Sequence, residues 1–322
     1  MVATRIAVTG AAGFIGSTLV TDLLAEGHTV VGIDSLDDFY PVSLKRWNLA
    51  KFEDNPNFDF QEIDIRDTEA LLACTDSIDV MVHLAALAGV RPSSERPIDY
   101  YDVNVGGTAS VLDFMVQHQV PHLVFASSSS IYGINPDVPW TEEHLPQPIS
   151  NYANSKLAGE RLVARAAALH GFTATAARLF TVYGPGQRPD LAITNFAAKM
   201  LNGEEIQVFG DGSALRDFTY VGDIVKGIRG CIHYTDSTFE AFNLARGIQV
   251  ELSDVIHLLE KVLDIDAKVA YTDGFRGDVP QTWGSIEKSS AVIGYRPSVD
   301  LKDGLMESRE WFGQVAALAL NA

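Results

Sequence analysis

The chain has 322 residues, of which 47% are hydrophobic and 20% charged, and a formal net charge of −18. This is the composition of a globular protein with one large core or a core and a smaller lobe; the acidic excess excludes broad binding to nucleic acid or anionic membranes, which needs clustered Lys and Arg. No apolar run approaches the roughly 20 residues of a membrane helix, Met1–Gly10 lacks a signal peptide's apolar core, and Cys74 and Cys231 fit free thiols in a reducing cytoplasm better than a disulfide framework.

Strand and helix patterns alternate through the first half. Arg5–Thr9 is a short apolar run, Phe14–Glu26 has helical periodicity closed by Gly27, and His28–Ile33 is the next strand, followed by a polar loop rich in Asp. Further strands are predicted at Phe58–Ile63, Val80–Leu84, Leu123–Ser127 and Thr173–Leu179, with helices at Glu69–Cys74, Ile98–His118 and Tyr152–His170. Strands alternating with crossover helices predict an α/β fold, a Rossmann-like doubly wound parallel sheet covered on both faces. After Gly184-Pro185-Gly186 the elements shorten. Residues 1–179 are therefore read as a dinucleotide-binding domain and 180–322 mainly as a smaller, mixed α/β substrate-binding lobe. A return to the main sheet is expected at about 217–246, through Phe218–Tyr234 and Phe242–Ala245.

Gly10-Ala-Ala-Gly13-Phe14-Ile15-Gly16 follows the first strand and opens the first helix. Glycines there let the backbone turn and approach a pyrophosphate, whose charge sits on the helix N-terminus. Asp34 ends the second strand, where a carboxylate accepts hydrogen bonds from an adenosine ribose and repels a 2′-phosphate, favouring NAD over NADP. Asp64 and Ile65 after the third strand are candidate adenine contacts, and Leu84-Ala85-Ala86 places small residues against the cofactor.

Tyr152 and Lys156 are four residues apart and share one helix face. A free tyrosine titrates near pH 10 and is a poor base at neutrality; a neighbouring ammonium and a positively charged nicotinamide favour its phenolate, which can then take a hydroxyl proton while the nicotinamide takes the hydride. Ser127 to Ser130 end the strand before this helix, on the carboxyl side of the sheet where ligands bind. His83, at the end of the fourth strand, is expected to be structural. No His/Cys/Asp cluster has metal-ligand spacing, so no metal is assigned.

Taken together, these segments resemble the extended short-chain dehydrogenase/reductase superfamily and, within it, the nucleotide-sugar epimerases, over nearly the whole chain. The resemblance implies NAD held by Gly10, Gly13, Gly16 and Asp34, proton transfer by Tyr152 and Lys156, and a catalytic hydroxyl on Ser128. The related 4,6-dehydratases carry an Asp-Glu pair where this chain has Ser129 and Ser130, so their elimination chemistry lacks its carboxylates. Asp34–Tyr40, Leu44-Lys45, Ala88-Gly-Val-Arg91 and Phe180–Asp190 resemble the UDP-glucuronate 4-epimerases, although Gly186-Gln187 replaces an expected Trp-Gly and Asn154-Ser155 an expected Ala-Thr. The implied reaction is conversion of UDP-glucuronate to UDP-galacturonate; a UDP-glucose or UDP-N-acetylglucosamine 4-epimerase and a non-catalytic NAD-binding regulator are the alternatives. A glucuronate carboxylate would be held by Ser129, Ser130 and Thr181. Arg91 and Arg188 are candidates near the sugar or nucleotide, Arg216 and Arg276 match positions that grip the diphosphate, and the strand through Val208 and Phe209 is expected beside the uracil. The superfamily also implies a homodimer formed by helices Ile98–His118 and Tyr152–His170.

Overall fold

Short runs of small and β-branched residues form one seven-stranded sheet. The computed structural model describes residues 4–75, 77–273 and 279–319. Arg5–Thr9 (β1), Thr29–Asp34 (β2), Phe58–Glu62 (β3), Val80–His83 (β4), His122–Ser128 (β5) and Thr173–Leu179 (β6) join Phe239–Leu244. The order is Phe239–Leu244, β6, β5, β4, β1, β2, β3, with every neighbouring pair parallel.

Period-two alternation sends the strand side chains to two separate cores. Ile6 and Val8 of β1 pack with helix Phe14–Ala25 (α1) and with Ile224 and Ile228 of helix Val221–His233. Ala7 faces the other way, toward Val111 and Phe114 of helix Gly107–Gln117 and Val163 of helix Asn151–His170. Parallel strands buried on both faces are thus satisfied by helices on both sides. The sequence order of the strands reverses at β1, between β2 and β4, which opens a crevice at their carboxyl ends. Gly10 sits there at φ +73, and a Cβ on it would approach the Ala85 nitrogen to 2.9 Å.

Beyond β6 the chain builds a lobe with its own core around Ile206, Val208, Leu259, Trp311 and Phe312. Strands Glu205–Phe209 and Lys268–Thr272 pair there in parallel. The chain returns to the main sheet between these parts, and the edge strand begins at Phe239 because its pairing with β6 starts at Ala174.

Two segments depart from the sequence expectation. The predicted helix Ile98–His118 is interrupted: Pro97–Tyr101 and Gly107–Gln117 flank a π-helical turn at Asp102–Gly106. That wider turn carries the buried Asn104, which bonds both backbone groups of Leu87. The Asp-rich loop after β2 contains a helix, Val42–Leu49 (α2), whose buried residues include Lys45 and Asn48. Polar groups on the inward face hid it from a hydrophobic-pattern reading.

Candidate active site

A cavity of about 1120 Å³ runs from the crevice into the lobe. Single small-molecule sites usually occupy roughly 300–1,000 Å³, so this cavity lies at the large end of that range. Gly10, Gly13, Phe14, Ile15 and Gly16 line its start. The first-turn amides of α1 have no intrahelical acceptors, and neither an acidic residue nor a side-chain cap stands there. A Cβ on Gly16 would run into the Gly10 carbonyl. The loop therefore fits an anion brought close to the backbone.

Asp34, Asp64, Ile65, Leu84, Ala85 and Ala86 continue this wall. Asp34 accepts from the amides of Ala12 at 3.1 Å and Leu36 at 2.9 Å. The Asp64 carboxylate faces a partner the sequence reading did not assign: Arg66 binds it through Nη2 at 2.7 Å and reaches Asp102 at 2.9 Å.

Helix Asn151–His170 brings Tyr152 and Lys156 to the middle of the cavity. Ser150 caps it by accepting from the Ala153 amide at 3.1 Å, which fixes where the first turn begins. Burial pushes the Tyr152 phenol upward in pKa, while the Ser128 hydroxyl and the positive field of Arg188 act in the opposite direction. Arg188, expected near the sugar or nucleotide, also acts on Tyr152 from 36 positions further along the chain, a link the sequence does not reveal. Burial lowers the Lys156 pKa to about 8, and its ammonium lies 4.9 Å from the Phe125 ring centroid. Ser128 accepts from both the amide and the hydroxyl of Ser130, at 3.2 and 2.9 Å. His83 is buried between the hydroxyls of Thr9 (2.7 Å) and Thr108 (3.1 Å), and its pKa is lowered to about 3. It stays neutral at ordinary pH and braces β1 against β4.

Three supports were not foreseen from the sequence. Asn104 donates to Ser155 on helix Asn151–His170 at 2.9 Å while holding Leu87, tying the crevice wall to that helix. Tyr100 is fully buried, packs T-shaped against the Tyr152 ring and donates to the Ala88 carbonyl. Glu160 pairs with Arg178 at 2.6 Å and accepts from Ser127 at 2.6 Å, both contacts buried. A polar residue inside an apolar helical pattern is the only signal that pointed to Asn104.

Ser129, Ser130, Thr181, Arg91, Arg188 and Arg216 also line the cavity. Arg188 forms a two-pronged pair with Asp190, at 2.9 and 2.6 Å. The Arg91 guanidinium lies 3.7 Å over Phe209, linking the first domain to the lobe. Val208 does not line the cavity: strand Glu205–Phe209 alternates, so Val208 enters the lobe core while Gln207 and Phe209 face the cavity. Arg276 lies outside the described residues. Gly186 takes φ +88, and the buried Gln187 next to it donates to the Val182 carbonyl at 2.9 Å and accepts from Thr194 at 2.7 Å. Asp217 is buried beneath Arg216 and gathers the amides of Arg246 (2.8 Å) and Gly247 (3.0 Å). Among the described residues no group of three or more His, Cys, Asp or Glu is arranged to hold a metal, and no helix is long and apolar enough to cross a membrane.

A Rossmann-like sheet with a glycine loop, an acidic residue after β2 and a Tyr–Lys pair beside a serine defines an enzyme of the dinucleotide-dependent class. The chain belongs to the NAD dependent epimerase/dehydratase family, whose model matches residues 6–245. It is 38% identical over 309 residues to the UDP-glucuronate 4-epimerase of Thermodesulfobacterium geofontis, covering 94% of each chain. Its structure is similar to that of UDP-glucuronic acid 4-epimerase from Bacillus cereus in complex with UDP-glucuronic acid and NAD, with TM-score 0.92 and 36% identity over 97% of this chain and 99% of that one. A UDP-glucose 4-epimerase from Thermotoga maritima, with UDP-glucose, is similar at TM-score 0.88 and 32% identity, over 96% and 99% of the two chains.

Proposed function

We infer that this enzyme epimerises UDP-glucuronate at C4, giving UDP-galacturonate, with NAD as its resident cofactor. The observation that carries this reading is that one cavity is lined together by the glycine loop, by Ser128, Tyr152 and Lys156, and by Ser129, Ser130, Thr181 and Arg188. Bound NAD supplies a reversible hydride acceptor at the sugar C4. Tyr152 takes the C4 hydroxyl proton as the bond is oxidised and returns it after the ketone has turned its other face. The Ser128 hydroxyl and the Arg188 guanidinium favour the phenolate, Ser128 holds the reacting oxygen, and Lys156 stands one turn further along the same helix.

A carboxylate on the sugar makes the C4 ketone a β-keto acid, which loses CO2 when its carboxylate bond stands perpendicular to the carbonyl. Hydrogen bonds from Ser129, Ser130 and Thr181 hold the carboxylate near the sugar plane and disfavour that loss. Replacing both Ser129 and Ser130 with Ala is expected to raise CO2 released per turnover; an unchanged ratio of CO2 to epimer would remove the cradle from the mechanism. Exposed Ile98 and Tyr101 on one side, with Leu162 and Leu169 on the catalytic helix, support a homodimer through these helices, and the free thiols of Cys74 and Cys231 suit a cytoplasmic setting.

The test is to incubate the enzyme separately with UDP-glucuronate, UDP-glucose and UDP-N-acetylglucosamine and identify the products. Epimer from the uronate without net NADH is expected; turnover of only the neutral sugars would overturn the substrate assignment.

A further inference from the structure

The adenosine end of the cavity holds two opposite charges on adjacent elements. Asp34 ends β2, and Lys45 lies on the buried face of α2. The Lys45 ammonium is 3.5 Å from the Asp34 carboxylate, with side-chain exposures of 8% and 7%, and both residues line the cavity. Asp34 already accepts two backbone amides there. One of them belongs to Leu36, a non-glycine residue at φ +51 that this carboxylate helps to hold. A carboxylate offers about four acceptor sites, so the two amides leave roughly two for ribose hydroxyls, while Lys45 balances the charge from 3.5 Å. The local charge is therefore close to balanced, and a 2′-phosphate meets more than a bare carboxylate.

We propose that the Asp34–Lys45 pair sets cofactor choice: Asp34 silences a buried cation that, once released, would receive a 2′-phosphate. Discrimination between the two dinucleotides then depends on the pairing and not on the acid alone. A buried ammonium deprived of its partner is strongly disfavoured, and a phosphate at the same place restores the pairing with charge-assisted bonds. Arg66, the other cation at this end, is already engaged by the carboxylates of Asp64 and Asp102.

The inference rests on the NAD-binding reading above, and the test separates the two. The purified protein is equilibrated with equal excesses of NAD and NADP and desalted, and the dinucleotides released on denaturation are quantified. Wild type is expected to retain NAD almost alone; retention of neither would remove the underlying reading. Asp34→Ser keeps an acceptor for the loop amides and is expected to raise the NADP-to-NAD ratio roughly 10- to 100-fold, the worth of one or two charge-assisted bonds. Lys45→Met is expected to lower that ratio below wild type, and the double variant to lose the gain of Asp34→Ser. A ratio that rises equally with and without Lys45 would overturn the proposal. So would a Lys45→Met protein that retains NAD at the wild-type ratio, whether or not Asp34→Ser folds.

Discussion

Two successive stretches of one helix treat buried charge in opposite ways. At its start, Tyr152 and Lys156 face the cavity, and burial acts on both, raising the phenol and lowering the ammonium to about 8. One turn on, Glu160 is equally enclosed but meets Arg178 through both carboxylate oxygens and also Ser127. Arg178 continues to Tyr132 at 2.9 Å, which donates to Asn243 on the edge strand at 2.7 Å. The second region is matched charge for charge and fixes where the helix lies against β5 and β6. The first keeps its groups mismatched, and such groups have protons ready to move. The contrast says that reactivity here sits on a support whose own polar groups are satisfied.

The sharpest way to break this comparison is at Tyr152. Tyr152→Phe removes the proposed proton carrier, and turnover is expected to fall by roughly 10³- to 10⁴-fold, the upper range for general acid–base groups. Its melting temperature should stay at or above the wild-type value, since a desolvated hydroxyl is removed. Substantial residual turnover would assign the proton to another group. Glu160→Ala is the converse. It leaves the Arg178 guanidinium buried without its carboxylate, and the expected cost is about 3–5 kcal/mol in urea unfolding. If that variant instead kept its stability and lost turnover, the division between reactive and supporting charge would be wrong.

Lys156 sharpens the same contrast through pH. Its unfolded pKa is the ordinary 10.5 and its folded value about 8, so between these pH values the unfolded chain binds more protons. Stability carried by this group therefore rises with pH across that window. Below about pH 8 the full burial cost is present. Relative to Lys156→Met, wild-type unfolding free energy is expected to gain about 3 kcal/mol between pH 8 and 10.5. A difference that stays flat across the window would show that the ammonium is not desolvated as its position implies.

The parts legible in the sequence were those encoded locally. Strands β1 and β6, the glycine loop and the Tyr–Lys spacing lie in contiguous patterns whose period or spacing is itself the signal. What escaped was assembled from distant residues. The π turn carries Asn104, whose partner Leu87 is 17 positions away, and Arg188 acts on Tyr152 only once the lobe folds over the first domain. Helix α2 hides behind inward polar groups, Lys45 and Asn48; the latter donates to the Ala12 carbonyl at 3.0 Å and fastens the phosphate loop. Val208 was placed on the correct strand but on the wrong face, because the alternation of that strand is set by the lobe core, not by the residue's own chemistry.

The smallest effect is expected at two neighbouring serines, and it tests the contrast at the resolution of one residue. Ser127 and Ser128 end β5, and alternation sends their side chains to opposite faces. Ser127 donates to Glu160, whereas Ser128 interacts with Tyr152 and receives Ser130. Ser127→Ala removes one of the bonds to a buried carboxylate but leaves the pair with Arg178, so about 1–2 kcal/mol of stability should be lost. Ser128→Ala removes no bond to a charged group, only its neutral bonds with Ser130, and should lose less stability than Ser127→Ala, yet its turnover should fall by roughly 10-fold or more if its hydroxyl holds the reacting oxygen as proposed. Urea unfolding and initial rates on both variants give four measurements. A shared profile would mean that the end of β5 acts as one structural unit, while the crossed pattern, stability lost at 127 and rate lost at 128, places the border between support and chemistry across a single peptide bond.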